Sequence, residues 1–324
     1  MQYKTIDILK FVSCIMIVVL HTRPFATFDL LNYYVTCLTR VAVPFFLIVS
    51  SFLFWTYSRN IIKFVKRLLL LYAIWLVVNL PIVIINYYIE PATPWYYNTA
   101  VLLKNFLFNS TFMASWFIMA LAESMLLIWF LRKKVWLPLV VGILLYLPCL
   151  SSSMYYGLLD NTSLGGFNNF ISGHFPFANS FFAAVIYVAL GKLLAERRTW
   201  FCKKINIAVS CVFICTAFLE VFLLKDTGWR INDCFVSLVP LSLSISVLSV
   251  KIDVKSISEK LAKKLRNVST VVYVSHGLLI YIYWDCIGIQ YGPILFLCVL
   301  ISSMLLSAAV ISLSDKIPVL KYAY

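Results

Sequence analysis

Long apolar segments that recur along the chain limit its fold more than any other feature of the sequence. One of them, VAVPFFLIVSSFLFW at 41–55, carries no charged residue. Only α-helices and closed β-barrels satisfy their backbone hydrogen bonds inside a bilayer. Barrel strands alternate between a polar and an apolar face, and these segments do not alternate. Because 62% of the residues are hydrophobic and only 12% are charged, the sequence predicts an all-α membrane protein.

Ten transmembrane helices are predicted from the lengths of the apolar segments, since about 20 apolar residues cross a bilayer. The chain is interpreted as a single membrane domain over 1–324, with no separate soluble domain and no cleavable signal peptide. The ten spans lie at about 6–25, 34–57, 67–89, 115–131, 135–150, 177–195, 205–224, 233–250, 268–287 and 291–313.

The distribution of Lys and Arg residues predicts the orientation of these spans. With the N-terminus in the cytoplasm, nearly all of the 27 basic residues fall in cytoplasmic segments, and the exceptions are Arg23, Arg40, Lys104, Lys225 and Arg230. Cytoplasmic loops of membrane proteins carry such an excess of positive charge. We therefore predict that both termini are cytoplasmic and that the protein lies in the cell's inner (cytoplasmic) membrane. The net charge of +14 is explained by topology, so nucleic acid is not an expected partner.

Two ionisable residues on the first span are the main candidates for a functional site. Lys10 and His21 differ by about 20° around a helix and lie roughly 16 Å apart along it, on a face shared with Asp7 and Cys14. Ionisable groups inside a membrane segment are costly and usually functional. We predict that Lys10 and His21 face one common hydrated cavity. The alternative is that Lys10 extends to the headgroups while His21 lies at the opposite interface.

Polar residues within other spans add further candidates. Glu123 lies on the same face of the fourth span as Trp116, and at membrane depth it needs a proton or a basic partner. Arg40, Lys10 and His21 are candidate partners that the sequence does not pair, and a purely structural ion pair is the alternative interpretation. Asn179 opens the sixth span. His276 lies in the ninth span, where a packing role is the alternative.

The segments 90–114 and 151–176 are the long connections predicted on the outer side. Both are rich in Asn, Ser, Tyr and Trp. Aromatic rings next to amide and hydroxyl groups suit a sugar-like acceptor, although Trp and Tyr also anchor proteins at membrane interfaces. The nine cysteines form no CxxC pair and the three histidines are widely separated, so no metal site is predicted.

These motifs together resemble the acyltransferase-3 family of membrane acyltransferases, which O-acetylate cell-envelope polysaccharides and related acceptors. The resemblance covers essentially the whole chain and implies a bundle of ten helices. It rests on Asp7, Lys10 and His21 at the spacing of the family's Arg-x10-His, on RVAVPFFLIVS from Arg40, on Trp116-Phe117, on ALGKLL at 189–194 and on YVSH at 273–276.

The chain departs from the family pattern at three positions. Lys10 replaces the usual arginine, which keeps the charge but loses the bidentate fork for phosphate. The family's Arg-x-x-Arg begins at Arg67 but meets Leu70, and Ser51 replaces a glycine. All three changes fall on the side predicted to bind the acyl donor.

The resemblance implies transfer of an acyl group, usually acetyl, from cytoplasmic acetyl-CoA to a hydroxyl of an extracytoplasmic glycan or a related small acceptor. The expected partners are therefore acyl-CoA, this acceptor and the lipid bilayer, and a homo-oligomer is left open. His21 is predicted to act as a general base or as the acyl carrier. No carboxylate is placed by the sequence to orient it, and Glu123 is the candidate for that role. The predicted sites are catalytic His21, Lys10 and Glu123; acetyl-CoA-binding Lys10, Lys63, Lys66 and Arg67; and substrate-binding Arg40, Trp116, Asn179 and His276.

Two other functions remain open from the sequence. The chain also resembles the membrane domain of vancomycin-resistance serine racemases, thought to bring serine into the cell, and RVAVPFF fits that group equally well. The sequence stops at Tyr324 without a soluble racemase domain, which argues against the complete bifunctional protein. A scaffold or flippase-like component of a polysaccharide assembly system would need none of the polar residues.

Overall fold

The structure, a computed structural model, describes residues 3–113, 115–160, 162–225 and 233–324. Every regular element in these ranges is helical. The α-helices are α1 (Lys4–Thr22), α2 (Asp29–Thr39), α3 (Ala42–Thr56), α4 (Ile61–Val78), α5 (Leu80–Ile84), α6 (Trp95–Phe108), α7 (Trp116–Phe130), α8 (Leu137–Ser151), α9 (Tyr156–Asp160), α10 (Gly165–His174), α11 (Phe181–Glu196), α12 (Arg198–Lys204), α13 (Ile207–Leu224), α14 (Leu238–Lys251), α15 (Glu259–Tyr281) and α16 (Pro293–Leu313).

Short stretches of other helix types extend or connect these elements. The π-helical segments Ile85–Ile89 and Ile282–Cys286 continue α5 and α15, and 3-10 turns cover Phe177–Asn179 and Pro318–Tyr322. Several α-helices begin at a residue whose side chain caps the first turn. Asn60 accepts a hydrogen bond from the Lys63 amide at the start of α4. Such caps satisfy amide groups that have no partner within the helix.

Four helical segments in the described ranges are long and apolar enough to cross a membrane: Lys4–Thr22, Asp29–Thr56, Ile207–Leu224 and Pro293–Leu313. Two bent pairs raise this number to six. Ile61–Val78 meets Leu80–Ile89 at 73°, and Gly165–Asn179 meets Phe181–Glu196 at 43°. The shorter apolar helices α7, α8 and α14 coincide with further predicted spans. The chain is thus an all-helical, multi-pass protein, while the number of ten spans and the orientation of the termini stay predictions.

Helix α11 forms the centre of the bundle. Its residues from Ala183 to Leu194 are buried, and it packs against α3, α7 and α8. Gly191 makes the closest of these contacts possible, because a Cβ atom added there would lie 2.3 Å from the carbonyl oxygen of Ile48. The Ser51 hydroxyl donates a hydrogen bond of 2.7 Å to the carbonyl oxygen of Val188. Serine at this position therefore ties α3 to α11 directly.

Helix α1 lies against α15, α3 and α16. Cys14 and Val18 of α1 pack in an apolar cluster with Val272 of α15 and Val299 of α16. The backbone amide of Gly292 also donates to the carbonyl oxygen of Thr22 at the end of α1. Because neighbouring helices cover α1 on several sides, the polar residues on this helix face the interior of the protein.

Candidate active site

A cavity of about 280 Å³ lies at the His21 end of α1, and we call it the histidine cavity. Four of the residues predicted from the sequence to form a site line it together: His21, Arg40, Trp116 and Asn179. They come from α1, from the end of α2, from the start of α7 and from the turn before α11. The structure thus brings together polar residues that are far apart in the chain. Their predicted roles stay predictions.

Asp233 faces Arg40 in the wall of the histidine cavity. The Nη1 atom of Arg40 forms an ion pair with Oδ1 of Asp233, whose side chain is only 7% exposed. Burying a charge is costly unless a partner compensates it, and this pair meets that requirement. A cavity with adjacent positive and negative groups can both donate hydrogen bonds to a polar ligand and accept them from it.

Two side chains hold the segment that carries Asp233. The Ser153 hydroxyl accepts hydrogen bonds from the Asp233 and Cys234 amides, at 3.0 and 2.9 Å. The Glu220 carboxylate accepts from the Val236 and Ser237 amides at the start of α14, each at 2.7 Å, and from the Tyr155 hydroxyl. Burial and the Glu220 carboxylate raise the pKa of Tyr155. The ion pair with Arg40 is therefore fixed from the turn after α8 and from α13.

The second histidine of the site lies beside His21 but does not line the cavity. The rings of His21 and His276 are 5.2 Å apart, with an angle of 31° between their planes. His276 is fully buried, and its Nδ1 atom bonds to the carbonyl oxygen of Tyr273. His276 was predicted to bind substrate, but a residue outside the cavity wall does not contact a ligand in that cavity. Its predicted role stays a prediction.

Glu123 does not occupy the position predicted for an orienting carboxylate. It lines neither the histidine cavity nor the other large cavity. Its Oε2 atom has no hydrogen-bond partner among the described residues, and the charged groups that act on His21 are Arg40 and Arg23. The shared face with Trp116 did not bring Glu123 to the site, because Trp116 lies at the end of α7 that reaches the cavity and Glu123 lies about two turns further along.

A second cavity, of about 250 Å³, lies at the Lys10 end of α1. We call it the basic cavity, because Lys10, Arg59, Arg67 and Arg266 line it. Burial and the nearby guanidinium of Arg67 lower the pKa of Arg59. Several cations gathered around one concave surface make a site for an anionic ligand.

The residues predicted to bind acetyl-CoA divide into two groups in the structure. Lys10 and Arg67 line the basic cavity, whereas Lys63 and Lys66 are exposed on α4 and lie outside its wall. Arg59 and Arg266 were not singled out from the sequence. Both belong to clusters of basic residues that are predicted to be cytoplasmic and are interpreted as topology signals. Only the packing of the helices distinguishes them from their neighbours.

An aromatic layer separates the two cavities. It consists of Phe46 of α3, Phe117 of α7 and Tyr273 of α15, whose ring centroids lie 5.3 to 6.1 Å apart. Tyr273 lines both cavities. The prediction of one common cavity for Lys10 and His21 is therefore wrong for the described structure. The two residues share a face of α1, but bulky side chains from three other helices meet between them.

A family model described as an acyltransferase domain (Acyl_transf_3) matches residues 3–313. The chain belongs to the acyltransferase-3 family. The match covers the histidine cavity, the aromatic layer and the four cations of the basic cavity, while Tyr322 and Tyr324 of the basic cavity lie beyond it. Because the cavities are separate, geometry alone does not establish an enzyme, and the acyltransferase assignment rests on this family match.

Two curated relatives of this acyltransferase-3 chain are amino-acid racemases of Enterococcus faecalis. One is 27% identical over 250 residues, which cover 74% of this chain and 34% of the racemase. The other is 25% identical over 342 aligned positions, which cover 98% of this chain and 47% of the racemase. The chain thus spans less than half the length of the curated relatives it matches. No solved structure matches it.

The role of Glu220 in holding the segment that carries Asp233 can be tested by substitution. We expect Glu220→Gln to lower the stability of the fold by about 1–2 kcal/mol, because an amide replaces a charged acceptor of several hydrogen bonds. Hydrogen exchange at the Val236 and Ser237 amides should accelerate in the variant. Glu259→Gln is the matched control, since Glu259 is exposed in the first turn of α15. Unchanged exchange at both amides in Glu220→Gln would contradict the anchoring role.

Proposed function

We propose that the protein transfers an acetyl group from acetyl-CoA, bound in the basic cavity, to a hydroxyl of an acceptor bound in the histidine cavity. One observation carries this proposal: within a chain of the acyltransferase-3 family, a basic cavity and a histidine-lined cavity meet at Tyr273. The basic cavity is placed on the cytoplasmic side because cytoplasmic segments of membrane proteins are enriched in Lys and Arg. The acceptor then binds from the outer side.

The donor is held through its phosphate groups. Arg59, Arg67 and Arg266 each offer a planar guanidinium that can bind phosphate through two hydrogen bonds, and Lys10 adds a point charge. The chain has Leu70 where the family's second arginine would be. Arg59 and Arg266 supply guanidinium groups in the same cavity and so compensate for that departure.

The acetyl group has to pass the aromatic layer to reach His21. Lys10 and His21 lie roughly 16 Å apart along α1, a distance that the extended pantetheine arm of coenzyme A can span. Rotation of the Tyr273 side chain, which already lines both cavities, would join them into one path. Arrival of the thioester in this path therefore requires an open conformation of the layer.

The transfer step uses the imidazole of His21 as a general base. His21 removes the proton of the acceptor hydroxyl as its oxygen attacks the thioester carbonyl carbon. The tetrahedral intermediate collapses by breaking the carbon–sulfur bond, and the thiolate of coenzyme A takes the proton from His21. The products are an acetyl ester and free coenzyme A, and His21 returns to its neutral form.

The acceptor is a hydroxyl of an extracytoplasmic glycan or a small hydroxylated molecule. Arg40, Asp233 and Asn179 provide donors and acceptors for its polar groups, and Trp116 offers a ring face. Aromatic rings pack well on the C–H face of a sugar while amides bind its hydroxyls. The volume of the histidine cavity fits one such unit of an acceptor.

Release of coenzyme A by the purified protein in lipid nanodiscs tests this proposal, with crude envelope material as the acceptor. We expect acetyl-CoA to raise the thermal unfolding midpoint, because a ligand that binds only the folded form stabilises it. Arg59→Gln combined with Arg67→Gln should raise the KM for acetyl-CoA by about tenfold or more, from lost charge-assisted hydrogen bonds. Lys63→Gln combined with Lys66→Gln is the matched control, because both lysines lie outside the basic cavity. Absence of both stabilisation and release would refute the proposal.

Uptake of an amino acid is a second candidate function. It is favoured by the curated relatives, which are amino-acid racemases, and by the facing charges of Arg40 and Asp233, which suit the carboxylate and ammonium groups of one ligand. Proteoliposomes should accumulate labelled serine if this function is correct. Accumulation that Asp233→Asn abolishes, without any coenzyme A release, would replace the acyl-transfer proposal.

A further inference from the structure

His276 carries a buried ring nitrogen although its side chain lines neither cavity. Its ring is fully buried, and its Nε2 atom has no hydrogen-bond partner among the described residues. A buried polar atom without a partner is destabilising, so such an atom usually gains a partner in another state of the protein. The ring of His21 packs against His276 at 5.2 Å and can provide that partner.

The backbone of α15 fixes the tautomer of His276. The Nδ1 atom bonds to the carbonyl oxygen of Tyr273. A carbonyl oxygen only accepts hydrogen bonds, so Nδ1 carries the proton and the Nε2 atom of the neutral ring has a free lone pair. Nε2 of His276 is therefore an acceptor and requires a donor.

We propose that His276 is a positioning residue that accepts a hydrogen bond from His21 and thereby fixes the tautomer of the His21 imidazole. A neutral imidazole has one N–H and one lone pair. When the N–H of His21 is directed to Nε2 of His276, its other nitrogen presents the lone pair to the acceptor hydroxyl. This inference rests on the acyl-transfer function proposed above, and a rotation of the His21 ring brings the two nitrogens together.

The groups around His21 favour this arrangement over a carboxylate partner. The residues that act on His21 electrostatically are His276, Arg40 and Arg23, and Arg40 is paired with Asp233. In many hydrolases a buried carboxylate holds the catalytic histidine in the correct tautomer. Here a neutral imidazole held by a backbone carbonyl would perform the same positioning task without placing a further charge in the membrane.

The first test measures the tautomers directly, by nitrogen NMR of protein with ¹⁵N-labelled histidine in lipid nanodiscs. The chain has three histidines, and His174→Gln removes the exposed one, so only the two rings of interest remain. We expect His276 to be protonated at Nδ1 and His21 to show a single tautomer. A mixture of tautomers at His21 in this background would overturn the proposal, whether or not the protein releases coenzyme A.

Two substitutions of His276 separate positioning from packing. Asn places an amide near the Nδ1 position and keeps the bond to the Tyr273 carbonyl, whereas Gln places an amide oxygen near the Nε2 position and can still accept from His21. In His276→Asn we expect mixed tautomers at His21. The kcat should fall about 100-fold, within the range for impaired acid–base catalysis, at an unchanged KM for acetyl-CoA. His276→Gln should keep the single tautomer and lose only about tenfold in kcat.

The unfolding midpoints of both variants show whether either change simply disrupts the fold. Equal kcat values for the Asn and Gln variants, with an unchanged His21 tautomer in each, would assign His276 to packing. If the wild-type protein releases no coenzyme A, the acyl-transfer proposal fails. The tautomer of His21 and the contrast between the two variants still decide whether His276 positions it.

Discussion

Replacing His21 with alanine should lower the kcat of acyl transfer by about 10³-fold, which is typical for loss of a general base. His21 is the imidazole in the wall of the histidine cavity. Asp233, the carboxylate among the described lining residues, is paired with Arg40. The KM for acetyl-CoA should stay unchanged, because the basic cavity lies beyond the aromatic layer. The measurement is release of coenzyme A by protein in nanodiscs.

The His21 prediction has a matched control within the same chain. His174 is exposed at the end of α10 and bonds to the carbonyl oxygen of Phe170, so His174→Ala should retain wild-type kcat. Thermal stabilisation by acetyl-CoA should be equal in both variants, which separates donor binding from catalysis. A folded His21→Ala protein that acylates at the wild-type rate would exclude His21 as the base.

Replacing Gly191 with alanine should destabilise the bundle by about 3 kcal/mol or more, at the upper end of the cost of overpacking. The new Cβ atom would lie 2.3 Å from the Ile48 carbonyl oxygen, 2.6 Å from Ser51 Cβ and 3.0 Å from the Phe52 amide nitrogen. Two of these atoms belong to the backbone of α3, so only separation of α3 from α11 relieves the clash. The unfolding midpoint in detergent measures the loss.

Gly166 provides the control for this substitution. A Cβ atom at Gly166 on α10 meets nothing within 4 Å, so Gly166→Ala should leave the midpoint unchanged or raise it slightly. An unchanged midpoint in Gly191→Ala would mean that α3 and α11 do not pack as described.

The sequence predicted helical elements well because the signals are local. At least one helix overlaps each of the ten predicted segments, since long apolar runs leave a chain in a bilayer few alternatives. Lys10 and His21 lie on the interior side of α1, as the helical period requires. The bend of 73° at Asn79 has a local signal in Pro81, which lacks the amide needed to continue the helix.

Relations between helices could not be predicted in the same way. Asp233 faces Arg40 because α13 packs against α2 and α14 packs against α13, and the chain offers no pattern that pairs the two charges. The aromatic layer needs three rings from three helices, each of which resembles ordinary core residues in the sequence. The position of Glu123 outside both cavities could not be predicted for the same reason, since a shared helical face does not determine how far along the helix a cavity extends.

The aromatic layer also closes the path between the two cavities. A polar passage that stayed open across the bilayer would conduct protons and small ions down the membrane potential, which drives each elementary charge with about 2.3 kcal/mol per 100 mV. Phe46, Phe117 and Tyr273 interrupt the passage between the basic cavity and the histidine cavity. On the proposed path, the closed layer would prevent ion flow between turnovers. Replacing these rings with small side chains should therefore increase the proton and ion leak across the membrane.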